Sequence, residues 1–271
     1  TAERFMKHPH SVRAKKHLGQ HFLADEHTAH LIADAVLAPD STSTVVLEIG
    51  PGTGALTKPL LRRGDLNIQV LEVDSESVAF LRGQDWLEET PILQGDVLKM
   101  DLPQQFPGQD IIIAGNFPYN ISSQILFKAL DWREHVPQLV GMFQKEVAER
   151  VCSPEGSKVY GILSVLLQTY FTAEYLFTVP PQVFIPPPKV QSGVLRLVRR
   201  EEAPTGFDYH HLKRITKAAF NQRRKTLRNA LSAGGFPIDG VDPEILGKRA
   251  EQLSPEAFQS LARELPDITK G

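Results

Sequence analysis

The residues best suited to chemistry stand at 115–120, Gly-Asn-Phe-Pro-Tyr-Asn. They follow an apolar run, "QDIIIA", that reads as a buried parallel strand. Turns at strand ends usually rely on Gly, Asp or Ser. This one uses an amide, two aromatic rings and a proline. One reading is a turn that happens to be apolar. The other is a pocket for a flat ring that bears an amino group. Asn116 would supply polar atoms, Pro118 would fix the backbone at Phe117, and Tyr119 would offer an aromatic face.

Three earlier apolar runs, "TVVLEIG", "NIQVLEVD" and "PILQGDV", also end in polar residues or glycine. Their ends are Glu48 with Gly50, Glu72, and Asp96. In an open parallel sheet a ligand sits beyond the carboxyl ends of the strands, so these groups and Asn116 should line one crevice. Gly50, Gly52 and Gly54 open a helix and let backbone N–H groups approach a ligand. Their spacing is not the G-x-G-x-x-G dinucleotide fingerprint, and no lysine follows as a triphosphate loop requires. Glu72 is placed to accept from the hydroxyls of a ribose, with Asp74 as a rival. Asp96 is placed to accept from an adenine amino group, or else to cap a helix. Together these features indicate an adenosyl cofactor. Spacing alone leaves both S-adenosylmethionine and NAD.

Helical segments such as "ALTKPLLRRG" and "ESVAFLRGQDWLEE" separate the strands, and "DEHTAHLIADAVL" forms a helix ahead of them. This alternation predicts βαβ units. A fifth strand, "LVGMFQ", leads into "KEVAERV" and then an apolar helix around "YGILSVLLQTYF". The last two strands, "AEYLFTV" and "GVLRLV", are joined by "PPQVFIPPPKVQS", too short for a helical crossover. They should form an antiparallel edge pair. The fold class is therefore α/β with a seven-stranded sheet. After Arg200 only helical patterns remain. A main domain is expected over 1–200 and a small all-helical domain over 201–271.

The chain has 271 residues, of which 41% are apolar, enough for an ordinary globular core. No stretch of 18 uncharged apolar residues exists, so no membrane span is expected. The basic N-terminus lacks the apolar stretch of a secretory signal. The single cysteine, Cys152, fits a reducing compartment, and a cytoplasmic location is expected. The nine histidines show no ligand spacing, so no metal is expected. Net charge is −2, but its distribution is uneven. Residues 1–20 carry Arg4, Lys7, Arg13, Lys15 and Lys16 against Glu3. Residues 211–230 carry Lys213, Arg214, Lys217, Arg223, Arg224, Lys225 and Arg228 with no acid. A polyanion surface is expected there. Read as a helix, that segment places Arg224 and Arg228 on one face, with Lys225 beside them and Leu227 and Leu231 inward.

Five stretches carry a more specific resemblance. "EIGPGTGALT" resembles motif I of S-adenosylmethionine-dependent methyltransferases. "NFPY" resembles the [N/D]-x-P-[Y/F] motif of enzymes that methylate exocyclic amino groups of bases. "HLGQHFL" (17–23) and "VFIPPPKVQS" (183–192) resemble elements of ribosomal RNA adenine dimethyltransferases. "FNQRRKTLRNAL" (220–231) resembles the signature of their small-subunit branch, the KsgA/RsmA family. The elements occur in family order across nearly the whole chain.

The resemblance implies a Rossmann-like class I methyltransferase sheet and S-adenosylmethionine as cofactor. It implies dimethylation of two adjacent adenosines in the 3′-terminal hairpin of small-subunit rRNA, within an assembling subunit. A monomer is expected. Catalysis would fall to Asn116, Phe117, Pro118 and Tyr119. The cofactor would touch His21, Leu23, Gly50, Glu72, Asp96 and Asn116. Tyr119 and Phe184 would wall the base slot, and Arg223, Arg224, Lys225 and Arg228 would hold rRNA phosphate. The family usually has Asn where this chain has His21. A side-chain contact there would change, whereas a backbone contact would not. The macrolide-resistance methyltransferases of the large subunit share the first four elements and remain an alternative. So does a non-catalytic RNA-binding assembly factor.

Overall fold

A computed structural model describes residues 12–269. A two-residue strand, β1 (Phe22–Leu23), precedes helix α1 (Glu26–Ala35). Strand–helix units follow: β2 (Val45–Ile49) with α2 (Thr57–Arg62), β3 (Asn67–Glu72) with α3 (Ser75–Arg82), and β4 (Ile92–Gln94) with α4 (Leu102–Gln105). Next come β5 (Ile111–Asn116) with α5 (Ser122–Asp131), then β6 (Gln138–Gln144) with α6 (Lys145–Cys152) and α7 (Ile162–Tyr170). Strands β7 (Phe171–Val179), β8 (Phe184–Ile185) and β9 (Ser192–Arg199) complete the β structure. The C-terminal region is helical: α8 (Tyr209–Asn221), α9 (Leu227–Ala233), α10 (Pro243–Leu246) and α11 (Pro255–Glu264).

Seven strands form one sheet in the order β4-β3-β2-β5-β6-β9-β7. The five from β4 to β6 are parallel, and β9 runs antiparallel to both of its neighbours. Strand order reverses between β2 and β5, where an open sheet leaves a crevice. Alternating residues bury opposite faces of the sheet. Val45 and Leu47 join one apolar cluster and Val46 the other; Ile113 and Ile112 divide in the same way. Asp25 caps α1 by accepting from the Thr28 N–H, and Asp208 caps α8.

The antiparallel edge pair and the helical C-terminus agree with the sequence reading. Two helices are shorter than expected. The α3 helix stops at Arg82, with Gly83 behind it and a separate 3-10 turn at Asp85–Leu87. In the basic run, α8 ends at Asn221 and α9 begins at Leu227, so residues 222–226 form a turn rather than a continuous helix. The β1–β8 ribbon was not anticipated: Phe22 pairs with Ile185 and Leu23 with Phe184.

The C-terminal helices share one apolar cluster with α7 and the lower face of the sheet. Tyr160 donates to the Leu253 carbonyl at 2.7 Å, and the Arg133 guanidinium lies 4.7 Å from the rings of both Tyr170 and Tyr209. Among the described residues no helix is long and apolar enough to cross a membrane.

Candidate active site

A cleft of about 910 Å³ opens at the carboxyl ends of the central strands. It brings together Gly50 after β2, Glu72 at the end of β3, Asp96 beyond β4 and Asn116–Tyr119 at the end of β5. The N-terminal segment Leu18–Phe22, which includes His21, lies across it.

One half of the cleft is acidic. The Glu72 carboxylate is only 3% exposed and accepts from the N–H groups of Gly52 (3.1 Å), Val73 (3.0 Å) and Asp74 (3.0 Å). Burial pushes its carboxyl above the usual range, while the backbone bonds oppose that rise. The result is an acceptor fixed in direction. Gly52 has φ +57°, and a Cβ there would stand 2.9 Å from the Phe22 ring. Only glycine lets that loop pass beneath β1.

Asp74, the rival acid, is occupied elsewhere. It caps α3 through Ser77 and pairs with Lys15, and it does not line the cleft. Burial works to raise its pKa, but the Lys15 and Ser77 bonds outweigh this and hold it below the usual value. Lys15 also pairs with Glu76 at 3.2 Å. Asp96 accepts from the Leu98 N–H at 3.0 Å, and its second oxygen is 3.8 Å from Lys99. Glu48 lies behind the cleft, 1% exposed and bonded by the Thr57 hydroxyl. Burial raises its pKa to about 8.

The other half of the cleft is aromatic. The Asn116 amide nitrogen donates to the His21 carbonyl at 2.9 Å. A carbonyl can only accept, which fixes the amide's orientation and leaves Asn116 Oδ1 as a spare acceptor. The Phe117 ring is buried 4.9 Å from Phe143 and nests over Gly141, where a Cβ would come within 2.2 Å of it. With its ring in the core, Phe117 offers the cleft only backbone. The Tyr119 hydroxyl bonds the buried Ser192 hydroxyl, and its ring centroid is 5.2 Å from that of His21. Burial raises the Tyr119 pKa, so the side chain stays a neutral phenol. The His21 ring places Nδ1 2.8 Å from the Pro186 carbonyl, so Nδ1 carries the proton.

Several expected contacts fall elsewhere. Phe184 is 1% exposed, packed in the upper apolar cluster, and does not wall the cleft. Its pairing with Leu23 turns both side chains into that core, and Leu23 is likewise absent from the cleft wall. Arg223 is set apart from its basic neighbours. Its guanidinium donates to the carbonyls of Tyr160 (2.7 Å) and Lys158 (2.9 Å) and lies 3.9 Å from Glu251. Arg224, Lys225 and Arg228 form no ion pair among the described residues. They stand on a turn and the first turn of α9, not on one helical stripe. Of the basic N-terminus, Arg4 and Lys7 lie outside the described residues.

Two side-chain pairings around the site escaped the sequence reading. Ser192 closes the "VFIPPPKVQS" stretch, so its partnership with Tyr119 had a signal in that motif. Lys15 had none, because its partner Asp74 is 59 positions away.

The sheet order, the reversed β9 and the switch-point cleft define a class I methyltransferase architecture. The ribosomal RNA adenine dimethylase family matches residues 11–243, and the chain belongs to it. Ribosomal RNA small subunit methyltransferase A of Cytophaga hutchinsonii is 50% identical over 254 residues, covering 94% of this chain and 98% of that one. The protein of the same name from Porphyromonas gingivalis is also 50% identical, covering 92% and 96%. Among solved structures, a dimethyladenosine transferase from Plasmodium falciparum superposes with a TM-score of 0.74 at 26% identity, over 90% of this chain and 97% of that one. The 23S rRNA methyltransferase ErmE gives 0.67 at 26% identity, over 89% and 97%.

Proposed function

We propose that this protein transfers methyl groups from S-adenosyl-L-methionine to the N6 amino groups of two adjacent adenosines in the 3′-terminal hairpin of small-subunit (16S) rRNA, acting on an assembling subunit. The observation that carries this reading is the Asn116 amide, turned by the His21 carbonyl so that Oδ1 is spare beside Tyr119. The relatives at 50% identity, named for the small subunit, favour that RNA over the large-subunit alternative.

The donor set fits the cofactor. Glu72 would accept from its ribose hydroxyls, Asp96 from its adenine amino group, and the backbone around Gly50 and His21 would hold its other end. When bound, the cofactor supplies an electrophilic methyl group on a sulfonium. The protein's share is then to prepare the nucleophile. An adenine amino nitrogen is weakly nucleophilic because its lone pair is delocalised into the ring. Asn116 Oδ1 and the Phe117 carbonyl would accept its two N–H bonds and favour a more tetrahedral nitrogen. Pro118 keeps that carbonyl aimed, and Tyr119 stacks the extruded base. Positioning and fixed acceptors supply the acceleration, and the released proton can leave to water. Arg224, Lys225 and Arg228 would hold rRNA phosphate, which positions without specifying. The cleft is complete within one chain, which suits a monomer.

Mass spectrometry of rRNA from cells with and without the gene tests the reading. Loss of two N6,N6-dimethyladenosines from the small-subunit 3′ hairpin is expected. Loss confined to large-subunit RNA would overturn it in favour of the alternative, and unchanged modification of both RNAs would overturn it altogether.

A further inference from the structure

Ile185 is 66% exposed, more than any other large apolar side chain among the described residues. The fold does not hide it, yet it is held firmly. Phe184, its neighbour, is buried, and Ile185 itself pairs with Phe22 in the β1–β8 ribbon. Pro186 and Pro187 follow, stiff and exposed, while Pro188 is buried and pins the loop from below. The loop is tied to the aromatic side of the cleft at both ends. The Pro186 carbonyl takes the His21 ring N–H at 2.8 Å, and Ser192 bonds the Tyr119 hydroxyl. Lys189 is exposed on the same loop, and Val190, 46% exposed, extends its apolar surface. A rigid apolar tip with a cation beside it, clamped to a base-binding rim, suits nucleic acid better than it suits water.

Resting on the reading that the cleft takes an adenine out of an RNA stack, we propose that Ile185 is the wedge that fills the gap this base leaves. Its occupant is the stacked nucleotide next to the target. A base that swings out leaves a void between its neighbours, and an apolar side chain inserted there replaces lost stacking. The wedge would hold the extruded state open, so its contribution falls on the step that delivers the base to Asn116. Cofactor binding lies in the acidic half of the cleft and does not involve it.

The test uses small-subunit particles from cells lacking the enzyme, with tritiated cofactor. Ile185→Ala should keep the wild-type melting temperature and cofactor affinity. It should bind particles nearly as well and lose about ten- to a hundredfold in kcat, the scale of one lost stacking contact. Ile185→Met, apolar and of similar size, should restore most of the rate, and Ile185→Ser should not. On particles whose rRNA is mutated to disrupt stacking beside the target, the Ile185→Ala deficit should shrink. A deficit that persists there, or one that appears in particle affinity instead of kcat, would overturn the wedge and assign Ile185 to a ribosomal protein contact. Equal rates for wild type and Ile185→Ala would also overturn it. Absence of methyl transfer by the wild-type protein is a separate outcome that overturns the proposed function, and the wedge with it.

Discussion

The side-chain amide of Asn116 donates to the backbone carbonyl of His21 at 2.9 Å, joining residues 95 positions apart. The bond uses the backbone of residue 21, so it does not depend on which side chain stands there. The imidazole serves a different purpose, holding the Pro186 carbonyl and lying beside Tyr119. Histidine in place of the family's usual Asn therefore leaves the orientation of Asn116 untouched.

Asn116→Ala should lower kcat by about 10²–10³, the scale of losing one fixed polar group aimed at a reacting centre. Cofactor affinity by calorimetry should change little, because the acceptor acts mainly during transfer. A turnover rate equal to wild type would remove Asn116 from the mechanism.

Glu72 and Asp74 should separate cleanly. Glu72→Ala should weaken cofactor binding by about 1.5–3 kcal/mol, the value of a charged hydrogen-bond acceptor. Asp74→Ala should chiefly lower stability, by about 1 kcal/mol for a lost helix cap, since Asp74 serves Ser77 and Lys15. Calorimetry and thermal melts of both variants decide it. Weak cofactor binding in Asp74→Ala with normal binding in Glu72→Ala would reverse the assignment.

Arg223 and its neighbours should also part company. Arg223→Ala should lower the melting temperature by about 2–6 °C, because carbonyls at Tyr160 and Lys158 lose their donor. Arg224→Ala with Arg228→Ala should leave melting unchanged and weaken particle binding, most at low salt. Each lost phosphate contact should flatten the salt dependence by roughly 0.7–0.9 in logarithmic slope. Superimposable salt titrations would identify the turn as a solvated surface.

Glu48 gives a pH test. Burial raises its folded pKa from 4.5 to about 8, so between these values the folded state holds a proton that the unfolded state releases. Stability from this group is complete below about pH 4.5 and declines as pH rises toward 8. Glu48→Gln, neutral and still able to accept from Thr57, should flatten that decline and melt higher than wild type at about pH 8. Parallel melting curves from about pH 5 to 9 would show that Glu48 is ionised in the fold.

The strand-end residues were legible because a parallel sheet delivers every carboxyl end to the same edge. Glu72, Asp96 and Asn116 needed only strand boundaries to be placed together. The basic segment was less so. Its paired leucines, Leu227 and Leu231, do face inward, but local spacing cannot tell that Gln222 leaves the helical region or that Arg223 turns toward a carbonyl 63 residues earlier. Phe184 misled for a similar reason. A two-residue ribbon is too short to show periodicity, so nothing local announced that Phe184 would pair with Leu23 and be buried.

The reversal of β9 has a consequence for how this enzyme could diversify. Running against its neighbours, β9 presents its beginning where parallel strands present their ends, and Ser192 sits opposite Gln144, the last residue of β6. A late, contiguous loop thereby reaches a rim whose remaining parts were laid down before residue 122. On the proposed roles, contact with RNA beside the target and retention of the cofactor would be written in separate passages of the gene. Recombination or drift confined to codons 185–191 could then retarget the enzyme to another RNA context without disturbing the acidic half proposed to hold the methyl donor.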